Sequence, residues 1–224
     1  MGIPRATRAA TIAPSIDPIR LLNLADGDTT ELVPGGRTEG VRFASLDLTG
    51  LTLAGAEFSE CEFLELNAHE ADLRATTFRE CRFERLNSVV LSAARTRFRD
   101  VLITGSRIGS AELYESTWQS VHITDSKLGF INLRGAEMRD VVFEGCTIDE
   151  LDLGGVRANR VSFVNTHVES LDLTRATLRN FDLRGVSLRT INGIEGLKGA
   201  TLSSMQITEF APLFARQFGI TVED

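Results

Sequence analysis

Three histidines, three cysteines and a scatter of hydroxyls and carboxylates are the side chains through which this chain could do chemistry. His69, His122 and His167 are 53 and 45 residues apart. A metal site normally announces itself by close donor pairs, such as C-x2-C or H-x3-H, and none is present. Cys61, Cys81 and Cys146 are odd in number and contain no CxxC pair. That argues against a disulfide framework and fits a reducing, cytoplasmic setting. No glycine-rich phosphate loop and no GxSxG turn occurs. Asp149-Glu150 is an adjacent carboxylate pair of the kind found on any solvated surface. These residues predict a chain that is not an enzyme and carries no metal and no cofactor.

The bulk properties set the remaining bounds. The 224 residues are enough for one large domain or one repeat array. A 42% hydrophobic content is that of a soluble protein. No apolar run approaches the eighteen residues of a membrane span. The opening Met1-Gly2-Ile3-Pro4-Arg5 lacks the apolar core of a signal peptide. A net charge of −7 disfavours direct nucleic-acid binding.

The element that must position these side chains is a repeat of five. Val41-Arg42-Phe43-Ala44-Ser45 is followed by Leu46-Asp47-Leu48-Thr49-Gly50 and Leu51-Thr52-Leu53-Ala54-Gly55. The frame holds to Val186-Ser187-Leu188-Arg189-Thr190, thirty units without an insertion. The third residue is large and apolar in 26 of the 30, the exceptions being Ala68, Ser88, Ala93 and Ala158. The first is small or apolar. All 40 charged residues of the segment avoid both positions. Random placement would do this about once in a billion trials. A helix has period 3.6 and a strand period 2, so a period of five is a chain that turns a corner every fifth residue. One such side cannot bury its own apolar pair, so sides must close into coils and coils must stack.

The aromatic centres give the number of sides. Phe43, Phe63 and Phe83 are twenty apart, as are Phe58, Phe78, Phe98 and Trp118, and Cys61 stands twenty from Cys81. Four units therefore make one coil, and thirty units make about seven and a half coils of ~4.8 Å each. His69 and His167 then share a face but lie nearly five coils apart. Inward hydroxyls such as Thr76, Ser106 and Ser116 are placed to bond local backbone rather than to act as nucleophiles.

Ala71-Asp72-Leu73-Arg74-Ala75, Ile131-Asn132-Leu133-Arg134-Gly135, Leu151-Asp152-Leu153-Gly154-Gly155 and Leu171-Asp172-Leu173-Thr174-Arg175 complete the picture. With these units the chain resembles the pentapeptide-repeat family over residues 41–190. The resemblance implies an all-β fold, a right-handed, four-sided parallel β-helix.

Both ends of such a rod need covering. Residues 1–40 do not repeat and read as a flexible tail, disordered over 1–15, plus an irregular N-terminal cap. Residues 191–224 read as a last irregular coil and a short helix, since Gly193, Gly196 and Gly199 appear and Leu197 and Leu202 fall one residue early. Ile207, Phe210, Ala211, Phe214 and Phe218 form a helical stripe ended by Gly219. Pro212 must sit in an early turn or kink that helix. With Leu213, these residues form either a cap or a homodimer seam that also caps. The resemblance to quinolone-resistance members, which pair through their C-terminal ends, bears on the second reading.

Function then rests on the outward residues. Over residues 41–190 there are 22 acids and 18 bases, and no face is strongly anionic. Arg79, Arg99, Arg139 and Arg179 run beside Glu80, Asp100 and Asp140, which predicts a salt-bridged ladder. Outward apolar residues gather as Leu64, Leu102, Val142 and Val164 on one face and Val89, Val90 and Phe130 on the next, with Tyr114 also outward. A contiguous apolar patch marks a protein interface. The expected role is a protein-binding scaffold with an unnamed partner. The alternative, implied by the resemblance, is a DNA mimic that binds a type II topoisomerase such as DNA gyrase and protects it from quinolones.

Overall fold

The computed structural model describes residues 10–223. Nearly all of it is one parallel β-helix. Apart from the two ends, each strand pairs with the chain twenty residues on, as in Thr117 with Glu137 and Trp118 with Met138. A twelve-stranded sheet covers two adjoining faces and a six-stranded sheet the other two. The rod has about nine turns, more than the seven and a half expected from the pentads alone. The difference comes from chain outside the repeat that keeps coiling. Arg37–Glu39 pairs with Glu57–Ser59 twenty residues on, and Ala25 pairs with Val41. At the far end Phe181 pairs with Ala200, a step of nineteen. The frame slip at Leu197 and Leu202 is thus one residue lost from the last coil.

The interior follows the period. First and third residues are buried along the repeat, except Leu46, Leu51, Ala176 and Leu188 near its ends, which are partly buried, and the aromatic columns stack as their spacing predicts. Phe43 and Phe63 lie 5.4 Å apart and Phe63 and Phe83 4.7 Å apart, rings nearly parallel. The Phe58 column meets this one edge to face, with Phe78 and Phe83 at 5.0 Å and 80°. Inward hydroxyls satisfy backbone: Thr76 donates to the Leu53 carbonyl at 2.9 Å and Ser106 to that of Thr104 at 3.1 Å. The Trp118 indole donates to Ser116 at 2.7 Å.

The pattern residues have local causes. Asp or Asn at the second position accepts the backbone N–H of the fourth, as Asp72 does from Arg74 at 3.1 Å, Asn132 from Arg134 at 3.1 Å and Asp172 from Thr174 at 2.7 Å. This local bond fixes the turn that follows. The corner falls on the fifth residue, which is left-handed even where it is not glycine: φ is 53° at Glu60, 54° at Asp100 and 56° at Arg160. Such a conformation costs roughly 1–2 kcal/mol per residue. It is offset because the corner N–H joins the ladder, as Glu60 does to Arg79 at 2.9 Å. Gly185 departs from the rule singly, and one corner departs along most of its length. Gly50 and Glu70 are left-handed there, but Val90, Ser110, Phe130, Glu150 and Ser170 above them are not. Positive φ is a genuine outlier for a β-branched or bulky residue such as Val90 or Phe130, and the stacked Ser110, Glu150 and Ser170 share their extended corner although serine and glutamate turn left-handed elsewhere, at Ser120 and Glu60.

The C-terminal helix spans Ser204–Gln217. Ser203 accepts from the Gln206 N–H at 3.2 Å, and Gln206 Oε1 accepts from the Ser203 N–H at 2.8 Å, a capping box. The Gln206 amide then donates to the carbonyls of Leu183 and Val186, at 2.7 and 3.0 Å, closing backbone that the rod end leaves open. Pro212 lies in the helix interior, not in an early turn. The ~3 kcal/mol penalty of that position is offset by packing: Phe210 is buried, and Leu213 and Phe214 lie against the core.

The N-terminal segment is a correction. Disorder over residues 1–15 does not hold for 10–15, which lie along the rod. The Ile12 N–H donates to Asn180 at 3.2 Å and that of Ser15 to Asp140 at 3.0 Å. Asp17 follows, its N–H on Ser120 at 3.1 Å. Residues 1–9 lie outside the described residues. Leu32, after a short 3-10 turn at Thr29–Glu31, is buried in the core and closes the N-terminal coils.

Candidate protein-binding surface

The first face begins as an ionic ladder. Arg42, Glu62, Arg82, Leu102, His122 and Val142 occupy one outward column. Glu62 is buried between two guanidinium groups, accepting from Arg42 Nε at 2.7 Å and Arg82 Nη1 at 3.1 Å. Above it the column turns apolar. Leu102 and Val142 flank His122, whose ring bonds Glu144 at 2.9 Å. Val164 pairs with that same Glu144 and is 39% exposed. Leu64 is not brought to this set, since Glu84 and Arg82 stand between. The first-face apolar residues are therefore interrupted by polar ones.

The second-face residues are better gathered. Val89 and Val90 are 61% and 40% exposed. Ser110 pairs with Val90 on one side and with Phe130 on the other. They sit at the corner that abandons the left-handed turn. Gly109 and Gly129 make that corner close-fitting: a Cβ would stand 2.7 Å from the Val89 carbonyl oxygen and 2.1 Å from that of Gly109. The missing side chains leave a shallow groove beside Val89, walled by Asn87, Arg107, Lys127 and Asp149. Arg107 and Lys127 stack directly, and among the described residues neither is within 4.0 Å of a carboxylate. The groove thus pairs an apolar rim with two adjacent positive charges. Tyr114 lies apart on the third face, half-buried beside Arg74, Ala94 and Glu112.

At the C-terminal end the stripe divides. Phe210, Leu213 and Phe214 face the coil, whereas Ile207 and Phe218 are 47% and 76% exposed. Met205, Ile220 and Val222 are also exposed.

Among the described residues no three His, Cys, Asp or Glu side chains gather where they could hold a metal ion. Each cysteine donates to a carbonyl two residues back, Cys81 to Arg79 at 3.2 Å and Cys146 to Glu144 at 3.3 Å. Burial pushes the Cys81 and Cys146 thiols up, away from the reactive thiolate. The three histidines pair with separate carboxylates, Glu70, Glu144 and Glu169. The Arg ladder of the fourth face is real at Arg99–Asp100 and Arg139–Asp140, 3.4 and 3.5 Å.

The pentapeptide-repeat pattern itself matches as eight copies over residues 47–85. The twenty-residue register and four-sided coil carry the same pattern beyond the match. The chain carries pentapeptide repeats. Among solved structures, it is similar to a trypsin-treated variant of QnrB1, a plasmid-mediated fluoroquinolone resistance protein. The match has 22% identity and a TM-score of 0.50, covering 88% of this chain and 95% of that one. HetL, a pentapeptide-repeat protein involved in heterocyst differentiation regulation in the cyanobacterium Nostoc, matches at 15% identity and a TM-score of 0.26, over 75% and 90% of the two chains. No curated protein sequence matches. At these identities the likeness concerns the fold. Among the described residues no helix is long and apolar enough to cross a membrane.

Sequence reasoning missed one part of the surface and one part of the closure at the rod's end. The stacked Arg107 and Lys127 could have been found from their twenty-residue spacing. Gln206 was signalled by the S-x-x-Q run Ser203-Ser204-Met205-Gln206.

Proposed function

We propose that this pentapeptide-repeat rod is a non-catalytic protein-binding module whose contact surface is the corner bearing Val89, Val90 and Phe130. The observation that carries this reading is the exposed valine pair beside the unpartnered Arg107 and Lys127. Apolar residues rimmed by charge are the usual composition of an interaction site. The partner it suits presents apolar side chains next to carboxylates. The unpaired cysteines fit a reducing compartment such as the cytoplasm. Affinity capture from the native host, comparing wild type with a Val90→Glu/Lys127→Glu variant, tests it. A partner held by wild type and lost about tenfold or more by the variant is expected, a loss of ~1.4 kcal/mol. Identical capture by both proteins would sink the reading.

The exposed Ile207 and Phe218 support pairing of two rods through their C-terminal ends. Light scattering should report a dimer for wild type and a monomer for Phe218→Glu. A monomeric wild type removes the dimer from the account.

A second reading, a DNA-like rod that engages a type II topoisomerase, is favoured by the unbroken solenoid shared with a fluoroquinolone resistance protein. The mixed charge of the faces and the Arg107–Lys127 pair weigh against it. A gyrase supercoiling assay with and without a quinolone separates the two. No effect of the protein at tens of micromolar discards the mimic.

A further inference from the structure

A solenoid coil normally touches only the coils next to it. This rod has an exception, a segment laid lengthwise across several coils. Residues 11–17 run against the corner column that includes Ser120, Asp140 and Asn180, opposite in direction to the growth of the rod. Three backbone N–H groups reach three short acceptors: Ile12 to Asn180 Oδ1 at 3.2 Å, Ser15 to Asp140 Oδ1 at 3.0 Å and Asp17 to Ser120 Oγ at 3.1 Å. Thr11 and Thr201 join their hydroxyls one coil further along.

The spacing of the two partners matches. Ser120 and Asn180 are three coils apart, about 14 Å at ~4.8 Å per coil. Residues 12–17 advance five steps, about 15–16 Å at the polyproline rise of ~3.1 Å. Pro14 and Pro18 hold the segment extended, and Ala13 and Asp17, each preceding a proline, are biased the same way. Neither proline has an N–H to leave unsatisfied. Arg160, the one long cation in the stretch, donates back to Asp140 and fixes the carboxylate that receives Ser15. Under the segment Asp140 and Ser120 are only 7% and 4% exposed, although Glu60 and Glu80, at the same corner on earlier coils, are exposed.

We infer that Ser120, Asp140 and Asn180 form a backbone-recognition edge for an extended, proline-containing peptide, filled here by the chain's own residues 11–17. The recognition is of N–H groups at coil spacing, not of side chains. The edge is vacated when the segment lifts, and the same peptide added in trans takes its place.

The test uses the full-length chain. A Ser15→Pro/Asp17→Pro variant keeps the extended shape but removes two of the three donors. A Ser15→Ala/Asp17→Ala control keeps every N–H. Hydrogen exchange at the Ile12 amide should match wild type in the control and be about tenfold faster or more in the proline variant, as expected for the loss of two anchoring bonds, one of them to a charged acceptor. A labelled synthetic peptide of residues 9–19 should bind the proline variant and not wild type. Adding Asp140→Ala, or Asn180→Ala as an independent second choice, should weaken that binding about tenfold. Unchanged Ile12 protection in the proline variant overturns the inference. So does an opened variant that fails to bind the peptide, or a wild type that binds it equally well.

Discussion

Phe78→Ala is expected to lower the unfolding free energy by about 3–5 kcal/mol, measured by denaturant titration followed by circular dichroism. Phe78 is 2% exposed and sits where the two aromatic columns meet. It stacks on Phe58 at 5.4 Å and on Phe98 at 5.6 Å. It meets Phe63 and Phe83 edge-on at 5.8 and 5.0 Å. Its removal leaves a cavity among four rings that are held by stacked backbone and cannot collapse inward. Phe78→Leu keeps most of the apolar volume and should lose only about 1 kcal/mol, chiefly the ring contacts. An alanine variant as stable as the leucine one would mean that the aromatic stack is not what holds these coils.

Gly199→Ala should cost about 3 kcal/mol, from two independent effects. The residue has a φ of 94°, which L side chains rarely adopt, and an added Cβ would stand 2.0 Å from the Leu178 carbonyl oxygen. The strain contributes roughly 1–3 kcal/mol and the forced shift a similar amount. Gly50→Ala is the matched control: φ is 67°, but nothing lies within 4 Å of the new Cβ. That substitution should cost only the left-handed penalty, about 1–2 kcal/mol. Equal midpoints for the two variants would show that the last coil, with its nineteen-residue step, yields without resistance.

These two glycines also mark how far the sequence reaches. The repeat corner is readable because many residues tolerate it: Gly50, Glu60 and Arg160 all turn left-handed at the fifth position. The contrasting need for glycine at position 199 is not readable, because it depends on which carbonyl the closing coil meets. The same division runs through the surface. Val89, Val90 and Phe130 were visible as outward apolar residues on one face. Their corner differs from its neighbours in staying extended through Ser110, Glu150 and Ser170 as well as Val90 and Phe130, which residue type alone does not dictate, and the groove lies beside it at Gly109 and Gly129. Leu64 and Leu102 share that outward-apolar signature, yet Arg82 and Glu84 separate them, which a face count does not register.

The ends divide likewise. The helical stripe was evident from its spacing, but the inward turn of Phe210, Leu213 and Phe214 against the outward turn of Ile207 and Phe218 is set by how the helix lands on the coil. Residues 10–17 carried no periodic signal at all. Their prolines and lack of repeat resemble a loose tail, and only the row of acceptors at Ser120, Asp140 and Asn180 gives them a place.

The sequence by itself determined the period, the four sides, the inward and outward residues and the aromatic columns. These follow from nearest-neighbour burial repeated every five and twenty residues, a local rule that composition cannot disguise. The tertiary structure alone decided the number of turns, the closure of both ends, the odd corner and the lengthwise segment. Those depend on contacts between residues up to 190 positions apart, where no short-range pattern constrains the pairing.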